Sequence, residues 1–176
     1  MKITKYIALA FIVSVSLISC KSDDGDGGGG EEAATCAEAS SQTAQGNFRE
    51  TAFVATGGKY IEAPGSGTGF ICTIYVKSPT NTDCVFPTFE GTQDTILFSI
   101  DALEPQTLIL SELAGSDTLN FNRIADGTTS VELAECGVLE ITSYDATAGE
   151  LRGTVIAEGQ LGSMIDGSFV LSLCVF

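Results

Sequence analysis

The sequence predicts an all-β domain, an antiparallel β-sandwich or small β-barrel of about 8 to 10 strands, standing behind a disordered tether. Three observations carry this. From Asn47 onward, short runs rich in Phe, Ile, Val, Leu and Thr are separated by Gly, Asp, Asn and Pro clusters. No sustained apolar stripe at the 3.6-residue helical period appears beyond residue 47. The connections are short, which favours antiparallel neighbours over crossovers. Residues 47–176 form one domain's worth of chain, expected as a β-sandwich domain and long enough for a real core.

The strands are expected at 48–56, 70–77, 95–101, 107–111, 118–122, 138–144, 150–158 and 167–175. Alternation assigns faces to several of them. Ile96, Phe98 and Ile100 share one face, with Thr95, Leu97, Ser99 and Asp101 on the other. Leu139 and Ile141 oppose Glu140 and Thr142, and Phe169, Leu171, Leu173 and Val175 form the apolar row of the last strand. Gly149 suits the loop between two strands, while Asp126-Gly127 and Asp166-Gly167 suit tight turns or bulges. Gly65, Gly67 and Gly69 lack the spacing of a phosphate cradle and no helix follows them, so they read as a loop.

Ahead of the domain, Lys2 and Lys5 precede an apolar run from Tyr6 to Ile18, and Ser19 leads to Cys20. That order is a secretory signal peptide over residues 1–19, too short for a permanent span and followed at once by charge and glycine. Leu17, Ile18, Ser19 and Cys20 resemble the lipobox of bacterial lipoproteins. The resemblance implies cleavage between Ser19 and Cys20, a diacylglyceryl thioether on the Cys20 sulfur and an N-acyl group, enough chains for stable membrane anchoring. Residues 20–46 then read as a flexible acidic, Gly- and Ala-rich tether, with a short helix expected around Cys36.

The run Lys21-Ser22-Asp23-Asp24-Gly25-Asp26 resembles the acidic signal that sends lipoproteins of Bacteroidota to the cell surface. It implies an outer-membrane protein facing outward, with the periplasmic face as the alternative. A calcium loop is not expected here, because Gly28 stands where the next oxygen ligand belongs and no glutamate closes the loop.

Composition excludes several classes of function. Taking Lys2 and Lys5 from the 8 basic residues leaves 6 against 23 acidic, a formal charge of −17 for the mature chain. Nucleic acid is not an expected partner. The absence of histidine removes Ser-His-Asp and Cys-His nucleophiles and every histidine-ligated metal site, and no cofactor is expected. Without tryptophan, sugar stacking falls to Tyr60, Tyr75, Tyr144 or the phenylalanines.

With Cys20 lipidated, five cysteines remain in an exported chain, so disulfides are expected. Cys136 is in phase with Glu140 and Cys174 lies opposite the apolar row, so both are expected to point outward and to pair if their strands are close. Cys72 and Cys84 bracket a loop and form the simplest second pair, leaving Cys36 unpaired. Cys36 with Cys84 or with Cys72 stays open as an alternative. No activated thiol is expected, since the surroundings are acidic and no histidine is present.

Cys136-Gly137-Val138-Leu139-Glu140-Ile141-Thr142-Ser143-Tyr144-Asp145, with Gly149, Leu151-Arg152-Gly153-Thr154-Val155 and Asp166-Gly167-Ser168-Phe169 after it, resembles the C-terminal strand module of small β-domain surface lipoproteins of Bacteroidota. The likeness covers about 40 residues. It implies fold and brings no catalytic residues. Val155 stands where such modules usually carry an aromatic, and the cysteines are additional. The expected function is a membrane-anchored, non-catalytic binding module for an extracellular ligand or protein partner, acting through loops at one end of the domain. An assembly subunit of a surface complex and a carboxylate-dependent glycoside hydrolase stand as alternatives.

Overall fold

The computed structural model describes residues 38–63, 69–84, 87–113 and 117–175. Ten strands and no helix occur among them: β1 (Gln45–Phe48), β2 (Thr51–Val54), β3 (Gly57–Glu62), β4 (Phe70–Tyr75), β5 (Gln93–Ile100), β6 (Gln106–Ser111), β7 (Leu119–Ala125), β8 (Thr128–Asp145), β9 (Glu150–Gly159) and β10 (Met164–Leu173). Seven of them close on themselves in the order β3-β4-β5-β7-β8-β9-β10 and back to β3. The domain is therefore a closed barrel, and the sandwich alternative is set aside. Every named strand pair is antiparallel except the closing contact, where Ser172 and Leu173 of β10 run parallel to Lys59 and Tyr60 of β3. The β1–β2 hairpin lies against the start of β10, and β6 continues the line of β7 along the second half of β8.

Apolar side chains pack the barrel interior. Tyr60, Ile74, Ile96, Leu119, Phe121, Leu139, Leu151, Val155, Ile165 and Leu171 are all fully buried in one cluster. The expected core rows hold for Ile96, Phe98 and Ile100, for Leu139 and Ile141, and for Phe169 and Leu171. They fail at the end of β10, where Leu173 is 42% and Val175 76% exposed. Pairing of β10 with β9 stops at Ser172, so the chain leaves the barrel before the alternating row is complete.

β8 is an 18-residue strand of which only the second half was expected. Its register shifts between Ala134 and Cys136 and again between Ile141 and Ser143. The first shift moves the inward set by one residue, from Glu132 and Ala134 to Leu139 and Ile141, so no single two-residue period runs its length. The same irregularity corrects the expectation for Cys136, which is buried at 4% exposure instead of pointing into solvent.

The expected strand 48–56 is a hairpin. Arg49 adopts a positive φ of 54° and reverses the chain with Glu50. A non-glycine residue in that conformation needs outside support. The Arg49 N–H donates to Ser163 Oγ at 2.9 Å, and Asn47 Nδ2 donates to the Arg49 carbonyl at 2.6 Å. β3 was not expected, because Tyr60 is the only buried residue in it and no alternating row exists to read.

Asp126-Gly127 forms the turn between β7 and β8, with φ values of 50° and 74°. Asp166-Gly167, in contrast, lies inside β10. A Cβ on Gly167 would sit 2.8 Å from the Ala44 nitrogen, so the missing side chain lets residues 42–44 run against β10. The Ser168 N–H donates to the Gln42 carbonyl at 2.7 Å, and the Ala44 N–H to the Ser168 carbonyl at 2.8 Å. With Ala44 fully buried, the folded domain begins ahead of Asn47. Ser19, Cys20 and Cys36 lie outside the described residues, as does the first part of the Glu31–Gln45 stretch expected to hold a short helix; its described part, residues 38–45, carries no helix.

Candidate functional site

The buried core cluster lines the barrel interior, and a groove opens on the outer face of the sheet. Registers across β3, β4, β5, β7 and β8 bring outward residues into cross-strand rows. One row is Lys59, Thr73, Leu97, Asn120 and Leu133, and the next is Gly57, Tyr75, Thr95, Asn122 and Val131. A third, shorter row sets Gln93 beside Ile124 and Thr129. Apart from Gly57, Asn120 and Leu133, the residues of these rows floor a groove of about 250 Å³. Thr95 and Tyr75 are only 7% and 5% exposed although they face away from the barrel, which shows how deeply the face is recessed.

One wall comes from the long connection 76–92 between β4 and β5, which contributes Cys84 and Pro87. Three sets of contacts hold this connection in place. Cys84 is disulfide-bonded to Cys174, with 5.5 Å between their Cα atoms. Lys59 Nζ lies 3.4 Å from the Thr82 carbonyl and 3.5 Å from that of Asp83, donating to both. Thr80 donates its N–H to the Thr88 carbonyl at 2.7 Å, the Thr88 N–H donates to Asn81 Oδ1 at 2.9 Å, and the Phe89 ring meets Tyr75 at 5.6 Å.

The bond between Cys84 and Cys174 corrects both expected pairings. Cys72 was paired with Cys84 as a local bridge, but it sits on the inner face of β4, fully buried as a free thiol. Burial pushes that thiol up to about 12, so it stays protonated and inert. Cys174 reaches Cys84 instead of Cys136 because β10 runs out beside β3 and carries its end over the β4–β5 connection.

Among the described residues the two buried carboxylates are both committed to holding the fold. Asp94 receives two bonds of 2.7 Å from the Arg123 guanidinium, which in turn stacks 4.7 Å over the Phe48 ring. Glu132, with a fully buried side chain, accepts the N–H groups of Leu161 at 2.7 Å and Ser163 at 3.0 Å and the Ser163 hydroxyl at 2.7 Å. Arg49 Nε lies 3.6 Å from the same carboxylate. Saturated carboxylates of this kind position backbone and offer nothing to a substrate. Among the described residues no group of three or more Cys, Asp or Glu side chains could hold a metal ion.

In a chain with a formal charge of −15, the groove lining among the described residues contains no carboxylate, and Lys59 is its single charged side chain. Among the described residues its one aromatic is Tyr75, already engaged with Phe89. Tyr60, a candidate for stacking on a ligand, is instead fully buried and donates its hydroxyl to the Gly149 carbonyl at 3.3 Å. Tyr144 packs edge-on against it at 6.4 Å. The groove residues Lys59, Thr95 and Asn122 were not singled out from the sequence. The signal present was the pair Asn120 and Asn122 inside an apolar strand, where asparagine is disfavoured.

No family model, curated protein or solved structure matches the chain. The class that the geometry defines is a small closed β-barrel with a packed interior and a recessed outer face.

Proposed function

We propose that the chain is a lipid-anchored outer-membrane protein of the kind found in Bacteroidota, facing the cell surface, whose barrel is a non-catalytic binding module with its ligand site on the recessed β3-β4-β5-β7-β8 face. The observation that carries the binding reading is the lining of that face: threonine, asparagine and glutamine side chains among Ile61, Ile71, Leu97 and Val131, with no carboxylate among the described lining residues. Glycoside hydrolysis needs a pair of carboxylates flanking a bond. Among the described residues the groove offers none, and Asp94 and Glu132 are consumed by their own partners. The anchor rests on the segment from Lys2 to Cys20, and the outward orientation on the acidic run behind it.

Assembly into a larger surface complex is the second reading, favoured by the edge of β2. Among the described residues β2 pairs only with β1, and Val54 on it is 55% exposed. A free edge is a template for an added strand.

Metabolic labelling with a fatty-acid analogue tests the anchor, and Cys20→Ser is expected to abolish it. Protease added to intact cells is expected to degrade the domain, whereas full protection contradicts the outward orientation. Hydrolysis of a polysaccharide by the purified protein, lost on a single Asp or Glu substitution, overturns the non-catalytic reading.

A further inference from the structure

Cys136 combines two properties that do not ordinarily go together. After the register shift between Ala134 and Cys136 it falls in phase with Val138 and Glu140, opposite the inward Leu139 and Ile141, so it faces away from the barrel axis. It is nonetheless only 4% exposed. Ile156, which pairs with Val138 from β9 and also faces outward, is 7% exposed. Neither belongs to the core cluster inside the barrel. The elements in extensive contact with β8 and β9 are their lateral neighbours in the sheet, β6, β7 and β10. A lateral strand shields the side of an outward residue, and chain lying over the sheet is needed to shield its top.

The polypeptide enters the domain on this side of the barrel. Ala39 and Ser40 are half-buried, and the Ser40 N–H donates to Asp166 Oδ1 at 2.7 Å. Asp166 pairs with Ile156, and Ile156 with Val138, so Ser40 stands two strand spacings from β8. At about 4.8 Å between strands and about 3.3 Å per residue along them, Asp166 and Cys136 are about 12 Å apart. The four residues from Cys36 to Ser40 reach about 13 Å when extended, and a disulfide spans a further 5.5 Å or about that between Cα atoms.

Of the five cysteines behind Cys20, Cys84 and Cys174 are bonded to each other and Cys72 is fully buried inside the barrel. We infer that Cys36 forms a disulfide with Cys136, and that the small residues beside it, Ala33, Ala34 and Ala37, lie over Val138 and Ile156. The bond forms by thiol–disulfide exchange with a dithiol oxidase of an oxidising compartment. The two domain sulfurs join, their two electrons reduce the disulfide of the oxidase, and that partner leaves as a dithiol carrying both protons. Cys84 and Cys174 need the same oxidant, so no further reactant is invoked. Residues 36–44 then belong to the folded domain, and the tether departs from the β8–β9 side, away from the groove. The inference stands apart from the reading of the groove as a binding site.

Trypsin separates the cysteines, because cleavage after Lys21, Arg49, Lys59, Lys77, Arg123 and Arg152 leaves Cys36, Cys72, Cys84, Cys136 and Cys174 each in a different peptide. The full chain, exported and purified without reductant, is unfolded in urea with an alkylating reagent, digested, and weighed by mass spectrometry before and after reduction. The expected result is peptide 22–49 joined to 124–152 and peptide 78–123 joined to 153–176, both pairs lost on reduction, with 60–77 carrying the alkyl label. Alkyl label on both Cys36 and Cys136, or peptide 22–49 joined to any other peptide or to a second copy of itself, overturns the inference. Cys36→Ser gives an independent reading. It is expected to unfold at a lower urea concentration than wild type without reductant and at the same concentration with it. Equal midpoints in both conditions overturn the attachment of this segment to the barrel.

Discussion

Cys84, in the middle of the β4–β5 connection, is covalently tied to Cys174, 90 residues further along the chain and just beyond the end of β10. The bond closes a large loop in the unfolded chain and fixes one wall of the outer groove. Substituting both cysteines by serine is expected to lower stability by about 3 to 4 kcal/mol, read as a drop in the urea midpoint. Wild type held in reductant should unfold at or below that lower midpoint, and equal midpoints with and without the bond would contradict the described pairing.

Glu132 is expected to be the most sensitive polar position in the barrel. Its carboxylate satisfies two backbone N–H groups and a hydroxyl in the β9–β10 turn and faces Arg49 across 3.6 Å. Glu132→Leu strips partners from all of these at once and is expected to cost about 3 to 5 kcal/mol. The unfolding midpoint of that single variant checks it.

Cys72 should be silent toward alkylating reagents at neutral pH in the folded protein and react promptly once urea is added. Burial raises its pKa from 9.0 to about 12, so the unfolded state releases the proton first as pH rises. The contribution of the neutral thiol to stability is thus fully present below pH 9 and lost between about 9 and 12. Unfolding free energy measured across that range should fall for wild type more steeply than for Cys72→Ala.

Asp145 opposes this trend at the acid end. Its Oδ1 accepts the N–H groups of Ala148 at 3.0 Å and Thr147 at 2.8 Å in the β8–β9 turn, and these bonds hold the carboxyl below its ordinary 3.8. A lowered folded pKa means the stabilisation is present above about pH 4 and disappears as pH falls through the folded value. Asp145→Ala should flatten the acid limb of the stability profile while leaving the alkaline limb unchanged.

Much of the barrel was legible because alternation is a local property. The rows Ile96-Phe98-Ile100 and Leu139-Ile141 need only the two-residue period, and both are buried. What escaped depends on partners remote in sequence. The turn at Arg49 is imposed by Ser163, the interior position of Gly167 by residues 42–44, and the length of β8 is hidden by its own bulges. The disulfide escaped for the same reason, since the path of β10 past β3 decides which cysteines meet. The groove was illegible because it is assembled from single polar residues on five strands, each of which reads alone as an ordinary solvent-facing position.

The central claim is that this recessed face is where the domain meets its partner on the cell. A photo-crosslinking amino acid placed at Thr73, on the groove floor, and at Arg152, on an outward position of β9, compares that face with the far side of the barrel in intact cells. The account predicts a discrete crosslinked product from position 73 that is absent from position 152. Equal crosslinking from both positions, or a discrete product from position 152 alone, would contradict it.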